Sequence, residues 1–297
     1  MQVAEVKEIG LKVYEDIGRT RVTAIAGGLA YFFLLSVFPL LVVLATALGF
    51  LPIPNLFDRG MEIMARFVPG DAMGLVRETL KGILSPSRGA LLSVGILGTI
   101  WTASGGFSSL MDALDIAYDA KAARPWWKQK LIAVALTFVV GGLFSVGLVA
   151  SILGPEFGQW ITNFLHLSKV FAMVWPLLRW GTMLVSVVLA IELLYYIGPN
   201  VKQRFKATLP GAVIASFFWL LASFALGIYI SHFGSYNKTY GSIGAVIVLM
   251  LWLYVTSIIL LVGAEVNSEM QKRTGECLEG QASHDVPTKV VAPPKAA

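Results

Sequence analysis

Hydrophobic and polar positions in this chain fall into long blocks rather than short alternations. The stretches 22–57, 89–111, 131–155, 180–197, 207–231 and 239–264 hold one charged side chain between them, Glu192. A bilayer core is about 30 Å thick, and a helix needs about 20 mostly apolar residues to cross it. Inside lipid each backbone N–H and C=O must be satisfied within the protein, so runs of this kind form helices. The pattern predicts an all-α, polytopic membrane protein with six transmembrane helices.

The flanking segments have a different period. Val3, Val6, Ile9, Val13 and Ile17 recur at steps of three and four beside Lys7, Lys12, Arg19 and Arg21. This predicts an amphipathic helix that either lies on the cytoplasmic leaflet or docks on the helix bundle. Between the first two runs, Leu56, Phe57, Ile63, Met64, Phe67 and Val68, then Met73, Val76, Leu80 and Leu84, predict two more amphipathic interfacial helices broken at Pro69-Gly70. After Gln271 the chain turns polar, with Pro287, Pro293 and Pro294. The expected organisation is an N-terminal amphipathic helix over 1–21, a six-span membrane domain over 22–270, and a disordered cytoplasmic tail over 271–297.

Composition supports this picture. Of 297 residues, 56% are hydrophobic and 14% charged, against about 25% charged in soluble domains. The net charge of +5 reflects topology rather than nucleic-acid binding. Of the 23 Lys and Arg, 15 lie before span 1, in the 2–3 and 4–5 connections and in the tail, and 8 lie on the other side. That bias places both termini in the cytoplasm. The first apolar run continues well past the length of a signal-peptide core, so it is expected to be an uncleaved anchor. The one cysteine, Cys277, excludes an internal disulfide framework.

Candidate chemistry is sparse. Glu192 lies within span 4, where a charge at a helix centre costs about 2.5–3.5 kcal/mol. It is expected to face the protein interior or a wet cavity, with Lys202, Arg204 or another inside-end cation as partner. Its two readings are a proton or cation relay and a structural ion pair. Pro39 removes a backbone donor mid-span and predicts a kink. Asp112, Asp115 and Asp119 step by three and four, so they share a helix face just inside the cytoplasm. Such a face can collect a hard cation, but it more often pairs with nearby Lys and Arg. Glu265 and Asn267 fall at the inner end of span 6. There is no G-x-x-x-x-G-K-[ST] loop and no H-E-x-x-H, and His166, His232 and His284 are scattered. No cofactor and no nucleic-acid partner are expected.

Three blocks carry a resemblance: LAYFFLLSVFPLL at 29–41, LYYIGPNVKQRFKATLPGA at 194–212, and FGSYNKTYGSIGAVIVLMLWLYVTSIILLVGAEVN at 233–267. Through these blocks the chain resembles the YihY/BrkB family of bacterial inner-membrane proteins over about residues 15–270. The resemblance implies a six-span inner-membrane protein. Members have been labelled virulence factors and, in older usage, a tRNA-processing ribonuclease; some are suspected exporters of lipid or metal. The resemblance brings no established catalytic residues.

The expected function is transport of an amphipathic or ionic solute across the inner membrane or between its leaflets. Glu192 is the candidate coupling or gating carboxylate, Glu265 and Asn267 line the inner mouth, and Pro39 gives the kink. The alternative is a non-catalytic scaffold or envelope-assembly factor. Membrane lipids are the expected partners, with a second copy of the chain or an envelope protein as a further candidate. A hydrolytic metal nuclease needs a clustered acidic or histidine-rich site; only the Asp112, Asp115, Asp119 face approaches one, and no enzymatic activity is expected.

Overall fold

A computed structural model of the chain describes residues 3–49, 89–121, 124–164, 169–232 and 236–273. Seven helices form among them: α1 (Val3–Arg19), α2 (Val22–Gly49), α3 (Gly89–Ala117), α4 (Trp126–Phe164), α5 (Lys169–Ile197), α6 (Phe205–His232) and α7 (Tyr236–Arg273). The six apolar runs correspond in order to α2 through α7. The all-α class is as the pattern predicts.

Among the described residues, four of the six expected spans are long and apolar enough to cross a membrane: Trp126–Gly147, Val174–Ile197, Phe205–Tyr229 and Val246–Arg273. A fifth is added if Lys7–Arg19 and Val22–Val37, which meet at 65°, form one bent span. The shortfall from six lies in the first two runs, where the side chains of residues 40–97 fall outside the described set. The interfacial helices expected over 55–87 and the tail from residue 274 also lie outside the described residues.

Consecutive helices pack as neighbours from α2 to α7, and α7 returns to pack against α2, closing a ring. From α3 to α7, short connections between long helices favour this antiparallel neighbour packing. Helix α3 also reaches α7 across the ring, and α1 lies against α7. The ring has an apolar exterior. In the apolar 18-residue core of each of the four spanning stretches, only 22% to 33% of the residues are buried. Leu177, Trp180, Phe217 and Phe224 point outward and are well exposed. A water-soluble bundle does not leave so continuous an apolar surface uncovered; lipid is the solvent that suits it.

Small residues set two of the helix crossings. At α2–α3, the Gly106 N–H donates to Ser36 Oγ at 2.9 Å. A Cβ on Gly106 would come within 2.8 Å of the Phe33 ring. Pro39, three residues after Ser36, lies inside α2. At α6–α7, a Cβ on Gly211 would collide with the Gly263 carbonyl oxygen, and one on Gly263 would come 2.9 Å from Ala215 Cβ and 3.1 Å from the Gly211 oxygen. With no side chain at either position the two backbones approach closely, as small residues permit in membrane bundles.

The ends of α3, α5 and α7 and the starts of α2, α4 and α6 meet at one end of the ring. Arg124, just before α4, donates to the carbonyls of Gly198 (2.9 Å) and Pro199 (2.8 Å) and to Asn200 Oδ1 (3.1 Å). A cation on the last carbonyls of a helix is favoured by their partial negative charge, so Arg124 caps the end of α5. Asp115 accepts from the Asn200 N–H of the same turn at 2.5 Å.

A sealed polar end of the helix ring

The buried carboxyl and amide side chains gather at this end. Glu192, Thr208, Glu265, Asn267 and Ser268 are each 0% exposed. They lie within an apolar core that includes Leu110, Leu114, Leu136, Ile191 and Leu261.

Asn267 ties α7 to the first turns of α6. Pro210 sits inside α6 and lacks an N–H, so the Lys206 carbonyl has no helix donor there. The Asn267 carboxamide enters there from α7. Its Nδ2 donates to the Thr208 carbonyl at 2.7 Å, and its Oδ1 accepts from the Gly211 N–H at 2.7 Å. One turn further along α7, Gln271 donates to Gln203 Oε1 (3.3 Å) and to the Ala207 carbonyl (3.4 Å). Tyr195, on α5, donates to the Leu260 carbonyl of α7 at 2.7 Å. Asn267, expected at an inner mouth, is thus fully buried against the α6 backbone.

The two glutamates have parallel surroundings. Glu192 Oε1 lies 2.5 Å from the Thr208 hydroxyl, which lies 2.9 Å from the Phe205 carbonyl oxygen. Glu265 Oε1 lies 3.0 Å from the Thr20 hydroxyl, which lies 2.7 Å from the Asp16 carbonyl oxygen. The second carboxyl oxygen of each, Oε2, has no hydrogen-bond partner among the described residues. Where a cation was expected beside Glu192, its hydrogen-bond partner is a hydroxyl. Tyr118, one residue past the end of α3, is also 0% exposed, and its hydroxyl has no partner among the described residues. Its phenol lies within electrostatic reach of both Glu192 and Glu265, and burial pushes its ionisation well up.

The three aspartates do not act together. Asp112 accepts from Gln129 Nε2 at 2.6 Å, and Asp115 holds the α5–α6 turn. Burial raises the Asp115 carboxyl, against the opposing pull of the Asn200 N–H and Arg124. Asp119 takes Arg19 in a two-pronged contact of 3.0 and 3.2 Å, and Lys272 at 3.2 Å. Burial works against its charge, but these two cations outweigh it and hold the carboxyl below the usual range. The face is used up in ties to α4, to the α5–α6 turn, and to α1 with α7. Among the described residues no three His, Cys, Asp or Glu converge as metal ligands.

The pattern of residues foretold Glu192, Glu265, Asn267 and the aspartates as polar groups in or beside apolar runs. It gave no sign of Tyr118, Thr20, Thr208 or Arg124. The one available cue for Thr208 was its place two residues before Pro210.

A ring of apolar helices with a lipid-facing exterior and one polar end defines a polytopic α-helical membrane protein. The chain belongs to the virulence factor BrkB family, whose model matches residues 13–286, as the three resemblance blocks imply. It is similar to YfkH of Bacillus subtilis (strain 168), named a ribonuclease-like protein, with 36% identity over 82% of this chain and 88% of that protein. It is also similar to UPF0761 membrane proteins. That of Tolumonas auensis is 29% identical over 85% of this chain and 82% of its own length. That of Photobacterium profundum is 28% identical over 93% and 86%. No solved structure matches the chain.

Proposed function

We propose that the chain is a six-span transport protein of the bacterial inner membrane, with both termini in the cytoplasm, that moves an amphipathic or ionic solute. The observation that carries this reading is the pair of fully buried glutamates at one end of the ring, each on a threonine hydroxyl. A carboxyl group in the membrane is costly and as a rule functional. In our reading Glu192 is the coupling carboxylate. Glu265 guards the inner end, where α1 covers it. Asn267 keeps α6 intact beside Glu192, and Pro39 with the Ser36–Gly106 contact forms the point where α2 can bend. Lipids of the membrane are the partners of the apolar exterior.

The name of the Bacillus subtilis relative suggests hydrolysis of RNA. Our reading assigns no such chemistry to Asp112, Asp115 and Asp119, because each is committed to a separate structural tie.

The test is transport by purified protein in proteoliposomes, read as fluorescent-lipid scrambling and as divalent-cation flux. Movement above empty vesicles is expected, and Glu192→Gln should abolish it. The glutamine amide can still donate to Thr208, so the variant should insert and fold. Full-rate transport by Glu192→Gln would remove Glu192 from the mechanism. No movement of either kind would turn attention to the scaffold alternative, tested by pull-down of a stoichiometric partner lost on deleting residues 1–18.

A further inference from the structure

Charge is divided unevenly across the polar end of the ring. Between Asp119 and Glu156, and again between Glu192 and Glu265, the chain has no acidic residue. The first of these stretches opens with Lys121, Arg124, Lys128 and Lys130, and the second with Lys202, Arg204 and Lys206. Arg124 joins the two, since it caps the end of α5 through Gly198 and Pro199. Lys130 turns onto the Trp101 carbonyl at 2.7 Å. Lys128, Lys202, Arg204 and Lys206 are exposed. On the α1–α7 side of the same end, cations face carboxylates: Arg19 lies on Asp16 and Asp119, and Lys272 on Glu269 and Asp119. Within α1, Glu5, Glu8, Glu15 and Asp16 stand among Lys7, Lys12 and Arg19.

Helices α4, α5 and α6 are consecutive neighbours in the ring, so the exposed cations form an arc along its outer rim. Aromatic side chains share the arc. Trp126 is 72% exposed and Trp127 50%, and the Lys128 ammonium lies 5.3 Å from the centre of the Trp127 ring. Tyr196 and Phe205 are exposed as well and meet edge to face at 5.4 Å. Tryptophan and tyrosine gather at headgroup depth in membrane proteins. One helical turn deeper the arc becomes apolar. Leu131 follows Lys128 by three positions on α4, and Leu209 follows Lys206 by three on α6; both leucines are exposed. Residues three apart share a helix face. Each of these helices therefore presents a cation and then an apolar side chain along one outward line. Orientation in the membrane requires an excess of cations on one face in total. It does not require them on one arc, beside aromatic rings and above exposed leucines.

We propose that the α4–α6 rim binds anionic phospholipids. Headgroup phosphates lie at Lys128 on α4 and at Lys202, Arg204 and Lys206 beside α6, and acyl chains run down past Leu131 and Leu209. A phosphate diester gives lysine and arginine charged oxygen acceptors. A zwitterionic headgroup brings a cation of its own, which the rim repels. Inorganic phosphate has the charge but no chain to cover the leucines. The proposal rests on the lipid-facing reading of the exterior and not on transport.

The experiment is native mass spectrometry of the full chain in neutral detergent micelles, with dioleoylphosphatidylglycerol and dioleoylphosphatidylcholine offered together. Preferential retention of phosphatidylglycerol is expected, falling as ionic strength rises. A cation near an anionic lipid surface strengthens attraction about fivefold. Lys128→Gln with Lys206→Gln should therefore lower the preference by about tenfold or more, while Lys128→Arg with Lys206→Arg keeps it. Lys7→Gln with Lys12→Gln removes the same charge from exposed positions on α1 and should leave the preference at its wild-type value. Equal losses from the rim pair and the α1 pair would make the effect one of net charge and overturn the rim. Loss in the arginine pair would overturn it too. If the glutamine rim pair does not fold, Lys128→Gln alone should show about a fivefold loss, and an unchanged preference there would count against the proposal. Displacement by inorganic phosphate beyond that by acetate at equal ionic strength would make this a phosphate site and overturn the lipid. Equal uptake of both lipids by the wild-type chain would overturn the proposal while leaving the lipid-facing exterior in place.

Discussion

The Asn267 carboxamide shows how much one side chain can hold in a helix that proline has weakened. It donates one hydrogen bond to α6 and accepts one from it, and no solvent reaches the site to replace it. Asn267→Ala removes both of these hydrogen bonds from a buried site. Two such bonds contribute about 1–3 kcal/mol together, so the variant should lose stability on that scale, measured by unfolding in mixed detergent micelles. Asn267→Asp should fare little better, because a carboxylate cannot donate to Thr208. Gly211→Ala should destabilise by a different route: the added methyl meets the backbone of α7, which cannot rotate away. Overpacking typically costs about 1–3 kcal/mol, and the loss should be larger than that of Gly227→Ala, where the new methyl meets no atom within 4 Å. Polar residues in apolar runs were legible from sequence because they break the pattern. Tyr118, Thr20 and Thr208 do not break it: a tyrosine or threonine near a helix end is ordinary, and only the fold brings these three to the acids.

Among the elements, α1 is the one whose placement the pattern left open. Its period of three and four marks Ile9, Val13 and Ile17 as an apolar stripe, yet a leaflet and a protein surface satisfy such a stripe equally well. The structure docks it on α7: Ile9 and Val13 are buried, while Leu11 and Tyr14 on the opposite side are exposed. Charge then fixes its end. Arg19 and Lys272 converge on Asp119, and Arg273 pairs with Glu8 at 3.0 Å. Partly exposed pairs of this kind contribute about 1 kcal/mol or less each. The Asp119 carboxyl is held low, so the unfolded chain takes up this proton before the folded one as pH falls. The stability from this tie is full above the unfolded value of about 3.9 and is lost as pH falls through the folded value. Amide exchange across α1, corrected for its intrinsic pH dependence, should stay constant near neutrality and rise only below about pH 4. Asp119→Asn should raise it already at neutral pH. Asparagine tolerates the left-handed backbone at this position, where φ is 50°, so the change isolates the lost charge. Unchanged α1 exchange in that variant would show that the apolar stripe alone holds the helix.

At the scale of the molecule, the ring explains why so few charges suffice to orient it. Neighbouring helices run in opposite directions around it, so the ends of α3, α5 and α7 share one face with the start of α2. That face carries the Arg19, Asp119, Lys272 and Arg124 contacts as well as the two glutamates. Under the topology proposed above, the Lys and Arg bias turns the same face toward the cytoplasm. The bias is weakest for the 50–88 connection, whose five cations, Arg59, Arg66, Arg77, Lys81 and Arg88, stand beside Asp58, Glu62, Asp71 and Glu78. Acidic residues count little in this rule, so the connection resists translocation more than its net charge suggests. Reporter fusions give a direct check. Under that topology a fluorescent protein fused after Ala297 stays in the cytoplasm and should fold and glow. Alkaline phosphatase inserted within residues 55–87 should be active, since it folds outside. Charge should also govern the second result: replacing Arg59, Arg66 and Arg77 with glutamine should raise phosphatase activity or leave it high. An inactive insertion with a fluorescent C-terminus would mean that the first connection stays inside. The first two runs would then not cross the membrane, and the molecule would be a four-span protein.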